Sequence, residues 1–531
     1  MKQKWKLGML LTVLTVFVMQ LTVMAAGETV TMNYCYIEGN QVNVIASGAV
    51  APSDDGNYYL FALKTYEREI GARVDYCAAA PAAELVQFAV PLELDTANSK
   101  LYSRFVITAK RGGMFVPVST EMYITNPEAV AKGSTKSIAE ATGTKKGLFC
   151  DWQYANSLSE LGAGYVATSI KTSQFFDGGG GFNYTYNGKT YQFNAFWVQA
   201  TDQLVKIYNA QNVDIVLGIL NDYSAGTADM IYPEALGTGV NPHYYAVNVD
   251  AQPGAEKLEA LMSFLAERYN GGSHGSVHNY VIGNEVNSSR QWHYAGEISA
   301  EELALRYARQ FRVCYNAIKS HNLGANVYAC IDQRWNFDDG NLFPGKKVID
   351  TFNAEIARTG NIDWGLSFHP YPVPLTHAKF WTVAPGYGFV KVNHTENADM
   401  IIPTNIDVIV NYMTKPEFLA PSGAIRNLFI SEVGFSSMSA SGDTNEEVQA
   451  AALVYAYKLI AAQPAIKGVT FNSVIDNPIE VAQDKLANGL MRSDGAQKPA
   501  YNAFKIMDKG GNVDHFLPYI GASSWAQLGV Q

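Results

Sequence analysis

From Thr29 to Ile37 polar and apolar residues alternate, with Val30, Met32, Tyr34 and Tyr36 on one side of an extended ribbon. Gly39 to Gln41 then supplies a turn before Val42, Val44 and Ala46. That pattern predicts a hairpin. Strand-like runs recur at Tyr58 to Leu63, Val86 to Val90, Tyr102 to Thr108 and Met122 to Thr125, separated by turn residues and without helical periodicity. Residues 27–126 therefore read as a small β-sandwich. Residues 127–146, rich in Ala, Gly, Ser, Thr and Lys, read as the linker that leaves it.

Past that point short apolar runs alternate with amphipathic helices, the pattern of a parallel sheet with crossover helices. Leu258, Leu261, Met262, Leu265 and Tyr269 follow helical spacing until Gly271 and Gly272, and Tyr280 to Gly283 is a buried strand. Ser299 with Glu302 and Thr444 with Glu447 read as capping boxes, each opening a helix that runs into a further strand. Eight strand candidates can be counted: Gly147–Cys150, Tyr165–Ile170, Val213–Leu220, Tyr280–Gly283, Asn326–Ile331, Asp363–Phe368, Asn427–Ile430 and Gly468–Phe471. The expected fold class is α/β, a (β/α)8 barrel over residues 147–531 with the N-terminal β-sandwich before it. Gly178 to Gly181 with Tyr184 to Tyr191 looks like an inserted hairpin.

Hydrophobic residues make up 48% and charged residues 17%, too apolar an average for a disordered chain. The 39 Lys and Arg against 49 Asp and Glu, with no long basic run, give no electrostatic footprint for nucleic acid. Lys2, Lys4 and Lys6, the apolar stretch Leu7 to Val23, and the small Ala25, Ala26 and Gly27 have the layout of a secretory signal peptide over residues 1–26. An uncleaved anchor is the competing reading. Cleavage would remove three Lys and no acid, which predicts an acidic protein, secreted or extracellular, with no membrane span. The five cysteines lack zinc-site spacing; Cys35 and Cys77 are one possible bridge, and buried apolar fillers are the other reading.

In a barrel of this kind the residues that close each apolar run face the active site. Val281-Ile282-Gly283-Asn284-Glu285 ends the fourth strand, and Phe429-Ile430-Ser431-Glu432-Val433-Gly434 ends the seventh, so two acids project into one mouth. Glycosidic cleavage needs such a pair: one carboxyl protonates the leaving oxygen while the other meets the charge developing at the anomeric carbon. Here the chain resembles the retaining glycoside hydrolases of clan A over residues 145–507. The resemblance implies that Glu285 is the acid/base, Glu432 the nucleophile and Asn284 the partner of the sugar 2-hydroxyl. In Phe368-His369-Pro370-Tyr371, it implies that Tyr371 bonds the nucleophile and His369 lines the site. Gly489-Leu490-Met491 and Lys498-Pro499-Ala500-Tyr501 resemble the segment leading into the last barrel helix. The chain departs from many relatives in having Lys171 near the usual strand-two Arg, and Phe471, Asn472 and Asp476 where strand eight is often followed by Trp.

If these roles hold, a Tyr hydroxyl should keep Glu432 ionised, and the adjacent anion should raise the pKa of Glu285. Trp152, Trp292, Trp335 and Trp381 fall in loops of the catalytic face and are candidate sugar platforms, with loop packing as the plainer alternative. Asn221, Asp222, Gln333 and Arg334 are candidate hydroxyl binders, with ordinary loop bonding as likely. No cofactor or metal is expected, since no phosphate loop, zincin motif or dinucleotide fingerprint is present and His369 lacks a second ligand at metal spacing. The expected activity is retaining hydrolysis of β-glycosidic bonds in a carbohydrate substrate. Its rivals are a non-catalytic carbohydrate-binding barrel and a metal-dependent hydrolase of another bond.

Overall fold

The computed structural model describes residues 29–340 and 342–530, and the expected signal segment 1–26 lies outside them. Two antiparallel sheets form the N-terminal region. One joins Val30–Glu38, Gln41–Gly48 and Leu85–Pro91; the other joins Ala78–Pro81, Asn57–Leu63, Arg104–Arg111 and Met114–Pro117, with Met122–Tyr123 beside Arg104–Arg111. Val42, Val44, Tyr58, Leu60, Phe88, Phe105 and Ile107 are buried in its core. The first strand does not keep one phase along its length. A register shift between Met32 and Tyr34 turns Cys35 and Ile37 inward and leaves Tyr34 exposed, so Tyr34 and Tyr36 do not continue the buried row of Val30 and Met32. One inserted residue is enough, because side chains alternate with a period of two.

The remainder builds a closed barrel of eight parallel strands. In chain order these are Lys146–Phe149, Tyr165–Lys171, Asp214–Leu220, Asn279–Ile282, Asn326–Asp332, Gly365–His369, Leu428–Val433 and Ile466–Phe471. Each pairs with the next, and the eighth closes on the first through Val469 opposite Lys146. Helices on the outside include Gln252–Arg268, Ala300–His321 and Glu446–Ala461. Ser299 caps the second of these by accepting from Glu302 N at 3.2 Å. The third is capped by Asn445, whose side chain accepts from Val448 N at 3.0 Å, and not by Thr444.

Large and small residues share the barrel interior. Tyr165, Tyr328 and Phe429 fill it, and the strands beside them carry Gly147, Gly365 and Gly468. A Cβ on Gly468 would lie 2.6 Å from ring atoms of both Tyr165 and Phe429, and one on Gly365 would lie 2.5 Å from the Tyr328 ring. The stretch expected as a linker is partly ordered into structure of its own. Its short helix Ile138–Thr142 packs Ala139 against the barrel interior, held by Asp214, whose carboxylate accepts from Ile138 N at 3.0 Å and Ala139 N at 3.1 Å.

The hairpin Gly181–Tyr186/Lys189–Asn194 rises after barrel strand two, as expected. It clamps the sandwich to the barrel: Tyr186 OH meets Tyr102 OH at 2.6 Å, Tyr102 OH meets Ser263 Oγ at 3.0 Å, and Phe182, Tyr184 and Phe193 pack on Phe264. The sandwich also rests on outer helices, through Asn316 Nδ2 donating to Leu101 O at 2.9 Å and the Arg358–Glu121 ion pair at 3.0 Å. All five cysteines are free thiols, and the bridge considered between Cys35 and Cys77 does not form. Among the described residues no helix is long and apolar enough to cross a membrane.

Candidate active site

Barrel strand four ends at Ile282 and the chain turns sharply through Gly283 (φ 75°). Glu285 follows with φ 38°, a left-handed conformation that residues with a side chain seldom adopt and that tends to occur at functional sites. The turn is tied down by Tyr307 OH donating to Ile282 O at 2.6 Å and Val286 N donating to Cys330 O at 3.1 Å. It carries the Glu285 side chain over the mouth of the barrel. Glu432 stands on strand seven itself.

One imidazole joins the two acids. His369, the last residue of strand six, has Nδ1 at 2.9 Å from Glu285 Oε1 and 3.9 Å from Glu432 Oε2. These oxygens can therefore be no further apart than the two distances laid end to end, a ceiling of about 7 Å that sits at the lower edge of the roughly 6.5 to 9.5 Å typical of inverting pairs. His369 Nε2 meets Ser431 Oγ at 2.8 Å, and Ser431 in turn bonds Ser367 on strand six. Tyr371 OH donates to Glu432 Oε1 at 2.5 Å, and Asn472 Nδ2 donates to Tyr371 OH at 3.2 Å.

Burial raises the Glu285 carboxyl above its ordinary value of 4.5, the Asp332 and Glu432 charges add to the rise, and His369 opposes it. The rise is in the expected direction, but its leading cause is desolvation and not the neighbouring Glu432 charge. For His369 burial disfavours the charge, yet Cys330, Glu285 and Glu432 around it outweigh that and hold the imidazole well above its usual range. Burial and the Glu432 charge hold the Tyr371 phenol well above 10, so it remains a donor.

Other expected residues divide into two groups. Asn284 is half-buried beside Glu285, and its carboxamide has no hydrogen-bond partner among the described residues. Trp292 lies at the rim, stacked on His243 at 4.5 Å between centroids and close to Tyr244. Trp152 is 62% exposed just beyond strand one, and half-buried Trp381 packs its edge on Phe380 and Tyr455. By contrast Trp335 is fully buried against Tyr412, so it offers no face to a sugar. Asn221 is buried too; its carboxamide accepts from Thr172 Oγ1 at 2.7 Å and donates to the Met230 and Ala246 carbonyls. Asp222 is bonded to Ser173, Gln333 is buried, and Arg334 pairs with Asp332. Among the described residues none of these side chains hydrogen-bonds Glu285 or Glu432.

Several residues of the site carried no sequence signal of their own. Asp332, fully buried at the end of strand five, accepts from Asn287 Nδ2 at 2.6 Å and from Ser288 Oγ and Arg334, fixing the loop behind Glu285. Tyr244 is half-buried, the Asp222 and Glu432 charges act on its phenol, and Lys171 Nζ lies 5.9 Å from its ring. Among the described residues no cluster of three His, Cys, Asp or Glu is arranged to hold a metal ion.

Fold and site together define a (β/α)8 barrel protein with a paired-carboxylate centre at the C-terminal ends of its strands. The chain belongs to a family of unknown function, DUF5722, whose model matches residues 138–528. No curated protein matches it. Among solved structures it is similar to a family 39 glycoside hydrolase from Bacteroides cellulosilyticus WH2, at 14% identity and TM-score 0.45 over 90% of this chain and 82% of that one. It is also similar to a GH5_18 from Bifidobacterium longum subsp. infantis, at 14% identity and TM-score 0.44 over 68% and 78%. A third is the hyperthermophilic beta-glucosidase from Pyrococcus furiosus, at 14% identity and TM-score 0.43 over 70% and 86%. Likeness at these scores says nothing about activity.

Proposed function

We propose that this protein is a retaining glycoside hydrolase that cleaves β-glycosidic bonds in an oligo- or polysaccharide. The observation that carries the reading is the shared imidazole: Glu285 and Glu432 both approach His369 Nδ1, which brings an acid and a nucleophile to one small volume.

In the first half-reaction Glu285 gives its proton to the glycosidic oxygen as the bond to the anomeric carbon breaks. Glu432 attacks that carbon from the other face and forms a glycosyl ester. With Oε1 of Glu285 occupied by His369 Nδ1–H, the proton for transfer resides on Oε2. In the second half-reaction Glu285, now ionised, takes a proton from water as the water oxygen attacks the anomeric carbon of the ester, and Glu432 leaves as carboxylate. Tyr371 steadies the Glu432 oxygen it bonds. Asn284, whose carboxamide has no hydrogen-bond partner among the described residues, is the group proposed for the sugar 2-hydroxyl, and Trp292 and Trp152 are proposed platforms at the rim. The expected leader makes the compartment outside the cytoplasm part of the same proposal.

A panel of plant, algal and host β-glycans assayed for new reducing ends tests the reading. Hydrolysis with the β-anomer as first product is expected. Glu285→Gln and Glu432→Gln should each lower turnover by at least about 10^3-fold with unchanged circular dichroism. Near-normal rates in either variant, or an α-anomer as first product, would refute it.

A further inference from the structure

A cavity of about 580 Å3 opens beside the nucleophile, where strands eight, one and two end, within the roughly 300 to 1,000 Å3 range of small-molecule sites. Asp151, Gln153, Ser169, Asn472, Glu480 and Ser493 are among the residues that line it. Asn472, one of the lining residues, connects it to the catalytic pair, since its carboxamide bonds Tyr371 and Tyr371 bonds Glu432. Glu480 lies close enough for the Glu432 charge to act on it.

The wall has one sign. Among the described residues no Lys, Arg or His lines the cavity. The Asp151 carboxylate caps nothing and has no ion-pair partner among the described residues. Among the described residues the Glu480 carboxylate accepts only from Asn477 Nδ2, at 3.0 Å. Behind the wall, Lys498 is paired with Asp476 at 2.8 Å. A sugar seated here meets amide, hydroxyl and carboxylate groups that suit its hydroxyls, whereas a carboxylate or sulfate on that sugar would face acids with no cation to answer it.

Resting on the glycosidase reading, we infer that this cavity receives an uncharged glycosyl residue of the substrate and that Asp151 and Glu480 turn away acidic ones. The substrate class is thus a neutral β-glycan, with uronic and sulfated chains excluded by like-charge repulsion.

Probe pairs that differ only at C6 test this: aryl β-glucoside against β-glucuronide, aryl β-galactoside against β-galacturonide, and β-1,4-mannotetraose against the β-1,4-mannuronate tetramer. For the full chain, kcat/KM on the neutral member of a cleaved pair should exceed that on the acidic member by at least about 100-fold. In the Asp151→Asn/Glu480→Gln double variant that ratio should shrink at least about tenfold through a gain on the acidic member, and each single variant should move it in the same direction. Equal use of both members, or a ratio that none of the variants moves, overturns the inference and leaves the glycosidase reading standing. No turnover of these probes or of the wider glycan panel overturns the glycosidase reading, and the inference falls with it.

Discussion

Glu285 combines a left-handed backbone with a buried carboxyl, and both features cost stability while suiting an acid catalyst. Burial, the leading cause of its raised pKa, persists when Glu432 is esterified, while the contribution of the Glu432 charge is released. The sign for activity follows. A carboxyl lifted above 4.5 stays protonated to higher pH, so kcat/KM should hold above pH 4.5 and fall on the alkaline side as Glu285 ionises in the free enzyme. An alkaline limb centred at or below 4.5 in a pH profile would contradict this. Tyr371→Phe removes the one hydroxyl that donates to Glu432 and should lower kcat by roughly 10- to 100-fold with little change in melting temperature. At this scale the sequence showed the two glutamates, His369 and Tyr371, because each closes an apolar run whose geometry aims it at the barrel mouth. It could not show that Trp335 faces inward on Tyr412 or that Asn221 is consumed by two carbonyls and a threonine. Which way a loop residue points depends on the fold around it.

The barrel strands are legible as elements because strands buried on both faces read as short continuous apolar runs, and all eight lie where those runs are. Two local features were not legible. The register shift in the first sandwich strand changes which residues are buried without changing the alternation along the sequence. Asn445 and Thr444 are both good N-caps, and only the backbone conformation selects Asn445. The barrel interior depends on matched sizes: aromatic side chains on strands two, five and seven occupy space left by glycines on strands one, six and eight. Gly468→Ala would bring a methyl within 2.6 Å of two rings. It should destabilise the protein by about 1 to 3 kcal/mol in denaturant unfolding. A loss under about 0.5 kcal/mol would show that the rings yield freely.

At the scale of the molecule, the sandwich is bound to outer barrel helices through the hairpin and through side-chain bonds to Ser263, Asn316 and Arg358. Glu259 on helix Gln252–Arg268 is near that junction, with its charge acting on Tyr66, Tyr102, Tyr186 and Tyr191. Burial pushes its carboxyl up to about 8, Lys64 opposing and Glu256 adding to the rise. As pH climbs from the ordinary 4.5 to about 8, the unfolded chain releases this proton while the folded chain retains it, so folding stability falls through that window. Glu259→Gln mimics the protonated acid. It should change Tm little at pH 5 and raise it at pH 9 by about 1 °C for each kcal/mol relieved. An equal effect at both pH values would show that the carboxyl is not strained at the junction.

The central claim is that two acids remote in sequence act on one anomeric carbon, and covalent capture tests it most directly. Incubation with activated 2-deoxy-2-fluoro β-glycosides, followed by peptide mass spectrometry, should find a single fluoroglycosyl ester on Glu432, absent from the Glu432→Gln chain and formed more slowly in Glu285→Gln when the leaving group is poor. Labelling on another residue, or hydrolysis of the natural substrate with no trapped ester from any matching fluorosugar, would contradict the account.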